Sequence, residues 1–180
     1  MRLQNVDTTY QQINLTYRTT AWFMGVEIER KYLVSNDGYK SGYTRKSEYR
    51  QGYLSTDKER VVRIRSINGQ GFITIKGKNK GCIRSEFEYE IPSDDTDKLL
   101  DMCLPPLIEK TRYLYPFDGH IWEIDEFHGA NEGLIVAEIE LKSEDESYRL
   151  PPFIGKEVTD DTRYYNSNLI AHPYREWNKE

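Results

Sequence analysis

Like-charged side chains two residues apart recur along this 180-residue chain, and their chemistry is that of cation and oxyanion binding. The acidic sets are Glu27 and Glu29, Glu86 and Glu88, Glu123 and Asp125, and Glu138 and Glu140. The basic sets are Arg63 and Arg65, Lys76 and Lys78, and Lys110 and Arg112. In an extended strand, carboxylates at that spacing share a face and offer hard oxygen ligands to a cation such as Mg2+ or Mn2+. Lys and Arg at the same spacing neutralise and hydrogen-bond the non-bridging oxygens of a polyphosphate. A site holding both sets suits phosphoryl chemistry, which needs positioning, charge neutralisation and an oriented water.

Strands must position these groups. From Val26 onward the chain alternates apolar and polar residues with period two over segments 26–34, 49–55, 60–68, 71–78, 84–91, 107–116, 120–128 and 134–142. Asn68-Gly69 and Asp118-Gly119 mark tight hairpins, and Asn79-Lys80-Gly81 marks a turn before the fifth segment. Ser93 to Met102 reads as a capped helix stopped by Pro105-Pro106, and Thr159 to Ala171 as a final helix or helical turn. Strands with hairpin links predict a mainly β fold with a few helices, built as a barrel or sandwich. A solvated sheet face would tend to mix charge signs, whereas here they are sorted strand by strand. The sorting favours a sheet curled with its charges inward, where opposite charges need a ligand of both signs, a polyphosphate with its cation.

Composition limits the alternatives. Twenty-five basic against thirty acidic residues give a net charge of −5, which argues against a general nucleic-acid binder. No apolar run reaches the ~18 residues of a membrane span, and the N-terminus carries no apolar signal segment, so a cytoplasmic protein is expected. Cys82 and Cys103 lack metal-ligand spacing and are assigned no chemistry. Residues 1–23 are polar, Thr- and Gln-rich and aperiodic; they read as a poorly ordered extension to a single domain at 24–180. His120, His128 and His172 lack ligand spacing and read as surface or capping residues. Tyr39, Tyr43 and Tyr49, among Lys40, Arg45 and Lys46, read as a mobile loop, with a substrate lid as the alternative. The apolar strand faces can be covered by helices or by a second chain, so a homodimer is possible.

Glu27-Ile28-Glu29-Arg30-Lys31 resembles the E-x-E-x-K signature of the triphosphate tunnel metalloenzymes, the CYTH superfamily. It is followed in order by Arg50-Gln51-Gly52-Tyr53-Leu54, Arg63-Ile64-Arg65, Thr74-Ile75-Lys76, Arg84-Ser85-Glu86-Phe87-Glu88, Glu109-Lys110-Thr111-Arg112-Tyr113, Glu123-Ile124-Asp125, Glu138-Ile139-Glu140 and Arg163-Tyr164-Tyr165-Asn166. The resemblance implies a closed eight-stranded antiparallel β-barrel, a tunnel for a triphosphate. It implies Glu27, Glu29 and Glu140 as metal ligands with Glu138 beside them. Lys31, Arg63, Arg65, Lys76, Arg84, Lys110, Arg112 and Arg163 are implied as the triphosphate clamp. Glu86, Glu88, Glu123 and Asp125 are implied to hold a second metal or orient water, and Tyr53 to pack on Lys31 and temper activity. Tyr165 departs from the lysine that short bacterial relatives often carry after Arg-Tyr. The implied activity is metal-dependent hydrolysis of inorganic triphosphate, with Mg2+ or Mn2+. Adenylate cyclase, thiamine triphosphatase and a non-catalytic polyphosphate- or nucleotide-binding module are the alternatives.

Overall fold

The computed structural model describes residues 28–57, 59–78 and 85–177. These form nine strands: β1 (Ile28–Val34), β2 (Arg45–Ser55), β3 (Arg60–Ile67), β4 (Gln70–Gly77), β5 (Glu86–Ile91), β6 (Ile108–Phe117), β7 (His120–Phe127), β8 (Ile135–Leu141) and β9 (Ile154–Glu157). Two α-helices accompany them, α1 (Ser93–Asp101) and α2 (Asn166–Ala171). All the strands join one sheet in the order β5-β4-β3-β2-β6-β7-β8-β1-β9, and every pairing is antiparallel.

The two hairpins form where the turn chemistry places them. Asn68 and Gly69 have φ of 50° and 86°, and Asp118 and Gly119 have 49° and 82°. Positive φ at both central residues matches the twist of the flanking strands, and Asn-Gly and Asp-Gly adopt it at low cost.

The structure differs from the sequence reading in several places. β2 begins at Arg45, so Tyr49 lies within a strand, and Tyr39 is fully buried in a 3-10 turn over Asp37–Ser41. Neither residue belongs to a mobile loop or lid. Ser93 opens α1 without a side-chain cap; the first turn is closed by the Thr96 N–H donating to the Pro92 carbonyl at 3.0 Å. Thr159–Ala171 is divided into a 3-10 turn at Thr162–Tyr164 and the short α2. The sheet has nine strands rather than eight, because β9 takes the free edge of β1. Among the described residues the sheet is open, with β5 and β9 as its edges.

Three apolar clusters hold the sheet. Tyr32, Trp122, Ile124, Ala137, Ile139 and Leu141 lie on the face of β1, β7 and β8 opposite their charges and pack with Tyr39 and Phe153. α1 and the turn after it cover the equivalent face of β2 to β4, with Leu100 and Cys103 in one cluster with Ile64 of β3. The third cluster lies on the charged face itself. Tyr53 lies across from Arg63; Ile108, Phe127 and Val136 share parity with the charged residues of their strands, and α2 packs Leu169 and Ile170 against them. Leu33 and Val61 join this apolar layer. One end of the charged face is thereby filled with side chains.

Candidate active site

Burial separates an ordinary wet face from an enclosed site. On an open sheet face, Lys and Asp side chains reach water. Here Lys31 is 7% exposed, Lys110 3% and Asp125 1%. The charged face is therefore enclosed around these groups.

Cross-strand register sets the contacts. Lys31 lies opposite Glu138, Glu29 opposite Glu140, Glu138 opposite Glu123, and Arg112 opposite Asp125. The Lys31 Nζ donates to Glu138 Oε1 and lies 3.6 Å from Glu29 Oε2. Arg112 is the hub: its Nε donates to Asp125 Oδ1 at 2.6 Å, its Nη2 to Glu138 Oε2 at 3.0 Å, and its Nη1 to Glu123. Lys110 donates to the second oxygen of Asp125.

A second cluster lies on β3 to β5. Glu88 accepts from Arg65 Nη2 at 2.8 Å, from Thr74 Oγ1 at 2.8 Å and from Arg63 Nη2 at 3.4 Å. Lys76 and Glu86 pair at 2.7 Å toward the rim. Tyr49 on β2 lies against the first cluster, with Lys110 Nζ and the Arg112 guanidinium 5.7 and 5.5 Å from its ring centroid.

The titration behaviour follows from this crowding. Burial and the neighbouring Glu138 push the Glu29 carboxyl up to about 7 against the pull of Lys31. Glu29 keeps 46% of its side-chain exposure, which leaves a route by which a cation can reach it. Burial opposes ionisation of Asp125 and Glu138, yet Arg112 overrides it and holds both below the usual carboxylate range. For Lys31, burial is likewise overcome, by Glu138 and Glu29, and the ammonium is held above its usual value. Burial and the adjacent cations instead lower Lys110, beside Arg112, and Arg65, beside Arg63. Of the carboxyls shifted in the site, Asp125 and Glu138 are held down and Glu29 alone is pushed up. There, anionic repulsion invites a cation.

Most of the anticipated residues converge on this face. Lys31, Arg63, Arg65, Lys110 and Arg112 line it with Glu29, Glu88, Glu123, Asp125 and Glu138, and Lys76 and Glu86 stand at its rim. Glu140 faces Glu29 across the β1–β8 ladder. Glu27 and Arg84 lie outside the described residues. Arg163 does not join the site: it is largely exposed and is held by Asp161 in its own turn at 2.5 Å. Tyr53 belongs to the apolar layer, where burial raises its phenol, and Lys31 is engaged by Glu138. Glu88 and Asp125, anticipated as metal or water ligands, brace cations. Among the described residues, no three His, Cys, Asp or Glu side chains converge as metal ligands. The hard oxygen donors of Glu29 and of Glu140 opposite it nevertheless suit a divalent ion. Sequence reasoning gave no site role to Gln51 and Thr74 and read Tyr49 only as part of a loop or lid; the parity of segment 49–55, which sets Tyr49 and Gln51 on the side of Tyr53, would have found two of the three.

An all-antiparallel sheet enclosing sorted Lys, Arg and carboxylate clusters defines an oxyanion-binding enzyme fold, and the chain belongs to the CYTH domain family, whose pattern matches residues 25–174. It is 50% identical over 153 residues to an inorganic triphosphatase from Acetivibrio thermocellus, covering 84% of this chain and 97% of that one. It is 36% identical over 147 residues to an inorganic triphosphatase from Nitrosomonas europaea, covering 79% and 95% respectively. A solved structure of an inorganic triphosphatase superposes with a TM-score of 0.67 at 34% identity, covering 82% of this chain and 95% of that one.

Proposed function

We propose that this protein hydrolyses inorganic triphosphate to pyrophosphate and phosphate within the enclosed charged face. The observation that carries this reading is the burial of two Lys/Arg clusters with their carboxylate braces on one face. The curated relatives named as inorganic triphosphatases support it over nearly their whole length. Lys31, Arg63, Arg65, Lys110 and Arg112 bind the phosphate oxygens, with Lys76 at the rim. Arriving triphosphate competes with Glu138, Asp125 and Glu88 for these cations, whose braces fix their positions beforehand. Glu29 and Glu140, with Glu138 beside Glu29, would hold Mg2+ or Mn2+, a role the sequence motif also gives Glu27, and Glu123 and Glu86 would orient a second ion or a water. A divalent ion held there would supply charge neutralisation and polarise water for attack. Lys and Arg then stabilise the charge that develops on the departing pyrophosphate.

The apolar layer around Leu169 and Ile170 fills one end of the charged face, which leaves that end no room for a bulky organic group. This favours inorganic triphosphate over ATP or thiamine triphosphate. Closure of the sheet into a complete tunnel belongs to the same reading, as does a soluble cytoplasmic setting; among the described residues no helix is long and apolar enough to cross a membrane. The test is phosphate release from triphosphate, ATP and thiamine triphosphate with Mg2+ or Mn2+, comparing wild type with Glu29→Gln and Lys31→Ala. Triphosphate is expected to be turned over fastest, and both substitutions to abolish most of it. Tight metal-dependent binding without turnover would instead point to a binding module, and accumulation of cyclic AMP from ATP to a cyclase.

A further inference from the structure

Gln51 sits on β2 in the charged face, directly across from Arg65 on β3 and from Ile108 on β6. It is 2% exposed, and among the described residues its Nε2 has no hydrogen-bond partner. Among the described residues, the Nε atoms of Arg63 and Arg65 on the adjoining strand are buried without a partner as well. Buried donors are nearly always paired, so donors left open on neighbouring strands of one face mark a place where an acceptor is missing. A purely structural role does not account for the amide. Tyr49 and Tyr53 flank Gln51 on its own strand, and a leucine or methionine would fill the same space without a polar group to satisfy.

We propose that Gln51 is a substrate-binding residue whose side-chain amide donates to a non-bridging oxygen of the bound triphosphate beside Arg65, an inference that rests on the triphosphatase reading above. The wall around it is already crowded with positive charge. Arg65 is pulled down by burial and by Arg63, and Lys110 by burial and by Arg112. A further cation at this position would be repelled by its neighbours, whereas an amide adds a donor for the polyanion without adding charge. Gln51 thus completes the oxygen contacts at the point where the cationic clusters meet the apolar layer.

An amide that binds substrate and is unsatisfied in the free protein leaves a signature that a packing residue does not. Replacing it by an apolar residue of like size should leave the free protein as stable or more so while weakening the ligand. The experiment uses Gln51→Met and Gln51→Glu in the full chain with excess Mg2+. Affinity for an imido-bridged triphosphate analogue is measured by calorimetry, and the melting temperature of each free protein is measured in parallel. Gln51→Met is expected to bind roughly tenfold more weakly or worse, the cost of one hydrogen bond to a charged group, and to melt no lower than wild type. Gln51→Glu is expected to bind more weakly still, because its carboxylate competes for Arg65. Affinity within twofold of wild type in Gln51→Met would overturn the proposal and leave Gln51 a packing residue. A methionine variant that fails to fold would also overturn it, since an unpartnered amide contributes no bond whose loss could unfold the chain. If the wild type binds no triphosphate analogue, the functional reading falls first and this inference with it.

Discussion

Asp125→Asn isolates the bracing of the cationic cluster. Asp125 is 1% exposed and accepts from both Lys110 and Arg112. Arg112 keeps Glu123 and Glu138 in the variant, but Lys110, itself 3% exposed, loses the carboxylate that it pairs with. Breaking a buried ion pair by removing one partner costs about 3–5 kcal/mol, because the remaining charge is left uncompensated. For a chain of this size that corresponds to a fall in melting temperature of roughly 6–20 °C. Urea unfolding at pH 7 measures the loss. The pH dependence gives a second reading of the same residue. The Asp125 carboxyl is held below its usual value, so its stabilising contribution is full above the unfolded value near pH 4 and is lost as pH falls further. Wild-type stability should therefore decline below about pH 4, and the Asn variant should show a flatter profile there. Triphosphate restores negative charge to the cluster, so it should raise the melting temperature of the variant more than that of wild type. A loss below about 1 kcal/mol, with an unchanged acid profile, would refute the reasoning.

Three further outcomes follow from the same geometry. Because Glu29 titrates at about 7 in the free protein, Mg2+ uptake below that pH should release a proton and tighten as pH rises toward 7. Calorimetry in two buffers of different ionisation enthalpy measures the proton count, and a count of zero at pH 6 would remove Glu29 from the ion's surroundings. Arg65→Ala should lower kcat/KM for triphosphate by roughly 10- to 100-fold, the worth of a charged hydrogen bond. Arg163→Ala, whose side chain is outside the site, should stay within about twofold, and steady-state kinetics on the two variants compares them directly. Leu169→Ala removes a fully buried side chain from the apolar layer and should cost about 2–5 kcal/mol in urea unfolding. A cost below about 1 kcal/mol would show that α2 is not seated on the sheet.

Much of this site was legible because its chemistry is written at period two. Parity alone placed Lys31, Arg63, Arg65, Lys110, Arg112, Asp125 and Glu138 on common faces, and the Asn-Gly and Asp-Gly turns located two hairpins. Parity says nothing of what a face encloses along its length. The layer of Tyr53, Ile108, Phe127 and Val136 on the charged face depends on the seating of α2, a contact distant in sequence. β9 escaped notice because Ile154–Glu157 is only four residues long and forms by pairing with β1. Ion-pair partners were also hidden, because in sequence a carboxylate such as Glu88 or Asp125 gives no sign of the arginine it will meet. Arg163 is the converse case, since Asp161 lies close enough in its own turn to pair with it.

The central claim is most directly tested by following triphosphate in the presence of Mg2+ or Mn2+ by phosphorus NMR. Pyrophosphate and phosphate should appear in equal amounts, with the pyrophosphate persisting and Glu29→Gln producing neither. Intact triphosphate after prolonged incubation with wild-type protein and either metal would contradict the account.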